Sequence, residues 1–214
     1  MRLTLALFIF CGFMAVGANP CAADEPVNLL KGASADLKGW TRVPIPVTGE
    51  IKNPSPWKYD AATGILTCEG KGHHEWLRFD GDEFGDAKIH LEWRFVPLAG
   101  GKGYNSGLMF RNSKDGKVWH QVQTGDKSGG YLFGETTGAT QRFNAAAKSP
   151  GGNVKPAGEW NVQDITCKGN TISLRTNGED TVTWDGCKQP KGYFGLEAEG
   201  FTIEFRNLTV EPVK

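Results

Sequence analysis

Lys88-Ile89-His90-Leu91-Glu92-Trp93-Arg94-Phe95 alternates without a break. Ile89, Leu91, Trp93 and Phe95 point one way and His90, Glu92 and Arg94 the other, which is the period of a half-buried β-strand. A helix would bring apolar residues together three and four apart, and no window of this chain sustains that spacing. The same alternation runs through Gly107-Leu108-Met109-Phe110-Arg111, Val118-Trp119-His120-Gln121-Val122-Gln123, Trp160 to Thr166, Thr171 to Arg175, Thr181 to Trp184, Gly192 to Glu199 and Phe201 to Phe205. Upstream, Gly64-Ile65-Leu66-Thr67-Cys68 adds one more. Asn177-Gly178 reads as a two-residue hairpin turn, and Lys168-Gly169-Asn170 as a similar one. So many short strands in one chain bury their apolar sides as two packed sheets, so the expected fold is all-β, a two-sheet jelly-roll sandwich. Gly125 to Gly152 shows no alternation and is expected to be a long loop.

The N-terminus opens with Met1-Arg2, then an apolar run from Leu3 to Ala18, then small residues. A charged start, an apolar core and a small-residue exit predict a signal peptide over 1–23, cut after Cys21-Ala22-Ala23. A cut after Ala18 is the alternative, and bulky Asn19-Pro20 argue against lipid attachment at Cys21. Residues 24–214 then form a single sandwich domain, exported to the periplasm or outside the cell, with no membrane contact after signal removal. The chain carries 24 basic and 24 acidic residues, so no field attracts nucleic acid or an anionic membrane. Its 29 glycines fit a fold of many tight turns. Cys68, Cys167 and Cys187 remain past the signal, and Cys167 with Cys187 is the pair to test for a disulfide. Three buried free thiols fit equally well.

The outward residues carry the functional reading. They are His90, Glu92 and Arg94, then Met109 and Arg111, then Trp119, Gln121 and Gln123, then Glu197 and Glu199, while His120 falls on the inward side. If these strands adjoin in one sheet, amides and guanidiniums meet an aromatic plate on one face. That set suits sugar hydroxyls and the C–H face of a sugar ring, so the expected ligand is a small carbohydrate. Glu92, Glu197 and Glu199 are candidate acid and base. The competing reading is a solvated face of compensating charges. No spacing of His, Cys or acids specifies a metal and no cofactor is expected; a divalent metal held by His90 or His74 with glutamates is the alternative. Serine-hydrolase, phosphate-loop and dinucleotide motifs are absent.

Six segments occur in an order that resembles a known family. They are Trp76-Leu77-Arg78, Ile89 to Arg94, Asn105-Ser106-Gly107-Leu108-Met109-Phe110-Arg111, Gln121-Val122-Gln123, Lys155-Pro156-Ala157-Gly158-Glu159-Trp160-Asn161 and Glu204-Phe205-Arg206-Asn207. Together they resemble the 3-keto-disaccharide hydrolase family, from about Asn28 to Val213. The resemblance implies a concanavalin-like jelly roll, export, and action on glycosides whose sugar is oxidised to a ketone at C3. It implies a pocket holding Glu92, Arg94, Asn105, Arg111, Gln121, Gln123, Glu197 and Glu199, with Arg94 or Arg111 against an enolate and a glutamate or histidine as base. One departure stands out. The family pattern has a glutamate where this chain has Gln121, and a glutamine where it has Glu197. Either the protein binds sugar without cleaving it, or its carboxylate has moved to Glu197.

Overall fold

The computed structural model describes residues 25–213 except 32, 34, 35, 127, 139–141 and 146–152. The expected signal peptide, 1–23, lies outside the described residues. Among the described residues there are strands and no helix, hence no helix long and apolar enough to cross a membrane.

In chain order the strands are β1 (Val27–Asn28), β2 (Trp40–Pro44), β3 (Trp57–Asp60), β4 (Ile65–Cys68), β5 (Glu75–Phe79), β6 (Ala87–Phe95), β7 (Asn105–Asn112) and β8 (Trp119–Gly125). They continue with β9 (Leu132–Glu135), β10 (Phe143–Ala145), β11 (Asn161–Lys168), β12 (Thr171–Thr176), β13 (Glu179–Trp184), β14 (Tyr193–Ala198) and β15 (Ile203–Pro212). The first sheet runs β13-β12-β11-β6-β15-β4-β3, with β1 on β15. The second runs β10-β9-β8-β7-β14-β5-β2. All pairings are antiparallel, and the two sheets pack as the expected jelly-roll sandwich.

Alternation explains the core. Ile89, Leu91, Trp93 and Phe95 of β6 meet Leu108 and Phe110 of β7, Val122 of β8 and Leu196 of β14, all buried in one apolar cluster. Each such side chain contributes about 1.5–3 kcal/mol by leaving water. Asn177 and Gly178 both have positive φ, 52° and 86°, which makes the β12–β13 connection the expected primed two-residue turn.

One expectation changes, and one open alternative closes. The stretch Gly125 to Gly152 is not loop throughout, because β9 and β10 lie within it at the sheet edge. Strands of four and three residues are too short to display a period. The three cysteines are buried and free, so Cys167 and Cys187 are thiols in this structure. Burial pushes the Cys68 and Cys167 thiols up to about 12, which keeps them protonated and inert.

Candidate functional site

A cleft of about 560 Å³ lies on the outer face of the second sheet. The ladder register builds its floor. Gln123 pairs with Gly107, Gln121 with Met109, Met109 with Gly195, and Glu197 with Trp76. Two glycines in this floor have a specific use. A Cβ on Gly107 would collide with the Gln121 amide, and a Cβ on Gly195 would collide with the Trp76 ring. Without those side chains, Gln121 reaches across β7 to β14, and Trp76 lies flat across β14.

Polar groups gather at one end. The Glu197 carboxylate is 3% exposed, with Oε1 2.8 Å from His74 Nε2 and Oε2 accepting from Gln121 Nε2 at 2.6 Å. Asn105 Nδ2 donates to Glu199 Oε2 at 2.5 Å, and Gln123 Nε2 donates to Asn105 Oδ1. Each amide has two N–H donors, so each keeps one beyond the bond that orients it. Ser106 Oγ donates to the Glu197 carbonyl at 2.8 Å and ties β14 to β7 from below.

The electrostatics follow from this packing. Burial raises the Glu197 carboxyl above the usual range, and nearby Glu199 adds to it, against the lowering bonds from His74 and Gln121. The bond to Glu197 raises His74, and burial opposes it. Glu197 and His74 therefore hold a proton between them more tightly than either would alone. His74 Nε2 also lies 3.9 Å from Glu199 Oε2. One ligand atom from each of His74, Glu197 and Glu199 falls within 4.8 Å of the others, a nitrogen and two oxygens able to hold a divalent cation.

The rest of the cleft is largely apolar. Ile45, Pro46 and Val47, just past β2, wall one side of the sheet, and Trp76 and Met109 floor the middle. On the β8–β9 side stand Trp119 and Phe133, edge to face at 5.6 Å and 88°, with Arg142 and Lys117.

Residues 25–211 match the 3-keto-alpha-glucoside-1,2-lyase-like domain. The chain belongs to that family. A candidate glycosyl hydrolase from Parabacteroides distasonis ATCC 8503 has the same fold at TM-score 0.60 and 19% identity, over 89% of this chain and 100% of that one. The carbohydrate-binding module CBM66 from Bacillus subtilis matches at TM-score 0.59 and 19% identity, over 81% and 95%. A β-glucanase from Bacillus licheniformis matches at 0.52 and 11%, over 83% and 94%. No curated protein matches the chain.

Of the residues expected in the pocket of this lyase-like domain, the cleft gathers Asn105, Trp119, Gln121, Gln123, Glu197 and Glu199. His90, Glu92 and Arg94 do not join them. They sit on β6, which pairs with β11 and β15 in the other sheet. There the outward charges compensate one another. His90 Nδ1 lies 2.7 Å from Asp164, Arg94 Nε donates to Glu204 at 2.6 Å, and Arg206 and Asn207 donate to Glu92 at 2.6 Å each. Trp160 lies under the Arg94 and Arg206 guanidiniums, so that face is a closed ion-pair lattice. Alternation gives the face of a strand and says nothing about its sheet.

Arg111 is corrected for a different reason. Its φ of 48° marks a bulge at which the β7–β14 register slips between Tyr193 and Gly195. The slip turns Arg111 away from the cleft, and Asn112 lines it instead. Trp76 is absent from the expected site, and His74 is expected only as an alternative metal ligand with glutamates, the company in which the structure places it. The signal for them was present in Glu75-Trp76-Leu77-Arg78-Phe79, whose alternation puts Trp76 outward and His74 with it. His120 is buried as expected, and desolvation lowers it to about 4, so it is a neutral core histidine.

Proposed function

We propose that this chain cleaves glycosides carrying a ketone at sugar C3, by elimination across C1–C2 and addition of water. One observation carries the reading: the Gln121 amide and the Glu197 carboxylate touch, at 2.6 Å. Exchanging glutamate and glutamine between those positions leaves one carboxylate and one amide at the same place. The departure from the family pattern is thus a swap within a single contact, and the acid is kept.

The chemistry asks for a base at C2, donors for the enolate oxygen, and an acid for the leaving oxygen. Glu199, half-buried at the cleft surface, is the base that takes the C2 proton. The spare N–H groups of Asn105 and Gln123 face the developing enolate in this reading. The C2–H electrons form the C1–C2 double bond and expel the C1 oxygen. The buried Glu197–His74 pair gives that oxygen its proton, which is the task a raised pKa suits. Water then adds across the double bond and releases the free 3-keto sugar.

The test is release of aglycone from a 3-keto-glucoside compared with its unoxidised parent. Turnover of the keto substrate alone is expected; saturable binding of both without turnover returns the protein to a non-catalytic sugar-binding sandwich. The pH profile should show the proton-donor side. His74 is raised above its ordinary 6.5, so the donor form persists there and kcat should fall only as pH rises beyond that value. His74→Gln should shift or abolish this alkaline limb; an unaltered limb removes His74 from the acid.

The ligand spacing of His74, Glu197 and Glu199 favours a second reading of the same residues. A divalent cation held there would supply Lewis-acid stabilisation of the enolate. On the proton-transfer reading turnover survives dialysis against a chelator; loss that zinc or manganese restores selects the metal reading. Export belongs to the proposal too, supported by the leader read in residues 1–23.

A further inference from the structure

The described residues include seven arginines, and six of them lie within ion-pair distance of a carboxylate: Arg42, Arg78, Arg94, Arg111, Arg175 and Arg206. Arg142 has no such partner among the described residues and lines the cleft. Its position is built. Phe143, the next residue, stacks on Trp184 of the first sheet at 3.9 Å and 8° and pins the start of β10 to the core. Arg142 Cζ sits 5.3 Å from the centroid of the Trp119 ring. The Trp119 ring is in turn braced edge-on by Phe133. A ring behind a guanidinium holds its plane and leaves its N–H edge available, which is the arrangement for bidentate capture of a carboxylate.

The charges along the cleft are sorted. Its acids, Glu197 and Glu199, lie with His74 at one end, and Lys117 and Arg142 are its other charged groups. Lys117 already meets Asp115 at 3.2 Å, so among the described residues the cleft cation without a carboxylate partner is Arg142. A ligand anion at the glutamate end would be repelled; beside Arg142 it would be held. We propose that the Trp119–Arg142 end is a leaving-group subsite that selects substrates whose leaving group carries a carboxylate on a ring. That this end receives the leaving group rests on the elimination proposed above; the anion site itself does not. This chemistry does not specify the ring further, since an aromatic acid and a uronic acid present the same group.

The test uses the full chain and unreactive probes first. Titration calorimetry with 4-carboxyphenyl glucoside and its neutral carboxamide, in both anomers, measures the preference without any turnover. A second pair, a glucosyl-glucuronic acid and the matching glucosyl-glucose, distinguishes a sugar-borne from an aryl-borne carboxylate. In at least one pair the acid should bind about tenfold tighter, the size of one charge-assisted contact at an open site. Arg142→Gln should bring that ratio to about one, while Arg175→Gln, on the other sheet, should keep it. Equal binding within both pairs overturns the proposal, as does a preference that survives Arg142→Gln. The 3-keto forms of the preferred pair then assign the side: the same Arg142-dependent ratio in kcat/KM supports a leaving-group subsite, and its absence from kcat/KM overturns that assignment. An Arg142-dependent preference in binding with no turnover of any keto form upholds the anion site and defeats the elimination reading instead.

Discussion

Glu197→Gln lowers kcat on a 3-keto-glucoside by about a thousandfold, within the range for loss of a general acid, and leaves the melting temperature near that of the parent. The first half follows from the shared proton. Glutamine keeps the shape and can still meet His74 and Gln121, but it cannot pass a proton to the leaving oxygen. The second half follows from burial. Glu197 is 3% exposed and its charged form is already disfavoured there, so a neutral isostere removes a desolvation penalty. The decisive variant is the double exchange, Gln121→Glu with Glu197→Gln. Gln121 Nε2 and Glu197 Oε2 are 2.6 Å apart over a bare Gly107, so the carboxylate returns to nearly the same point from the other strand. It should recover a large part of the lost rate, whereas Gln121→Glu alone places two carboxylates in contact and should depress turnover or raise the pH at which it appears. Glu92→Gln is the contrast, since that carboxylate is bound to Arg206 and Asn207 on the other sheet. Its turnover should stay within about twofold of the parent, as expected of a partly exposed ion pair remote from the chemistry. A thousandfold loss in Glu92→Gln, or none in Glu197→Gln, removes the assignment.

The contrast between Glu92 and Glu197 shows how far the sequence could be read. Both stand on strictly alternating strands, and alternation correctly turns both away from the core. It carries no information on which strands are neighbours. Strand order depends on long-range pairing, β6 with β15 and β11 and β14 with β7 and β5, and nothing local to either strand encodes that. The core was legible because burial has a period; the site was half legible because it needs several strands of the right sheet. Asn105, Gln121, Gln123, Glu197 and Glu199 meet because β7, β8 and β14 are sheet neighbours. His74 enters the sequence reading only as an alternative metal ligand, because it lies just before a strand of five residues, short for a period to stand out. Arg142 lies beside a strand of three residues, below the length at which any period can be seen.

Arg111→Leu should cost about 1–3 kcal/mol of stability, the range for leaving hydrogen-bond acceptors without their donor, and lower the melting temperature by roughly 5 °C for a domain of this size. The family resemblance placed Arg111 in the pocket against an enolate, and the fold gives it other work. The residue is 2% exposed. Its guanidinium donates to the Gly85 carbonyl at 3.1 Å, the Gly169 carbonyl at 2.7 Å, the Gln189 carbonyl at 3.4 Å and the Asp86 carboxylate at 2.8 Å. Those acceptors come from the entry to β6, the β11–β12 turn and the segment before β14, so one side chain ties three connections and both sheets together at one end of the sandwich. Leucine fills part of the volume and leaves those part-buried carbonyls without their donor, each at a cost that water reaching them reduces. Lysine restores the charge but not the fork, so Arg111→Lys should recover only part of the loss. The backbone adds to the argument: a left-handed φ at a non-glycine residue persists only where its surroundings hold it, and here the side chain supplies the hold. Thermal unfolding with activity measured well below the transition separates the two roles. A structural Arg111 gives a lowered melting temperature with kcat of the folded protein within about twofold of the parent, because none of its atoms lines the cleft. An enolate-binding Arg111 gives the reverse, an unchanged melting temperature with turnover lost, and that result would return it to the active site.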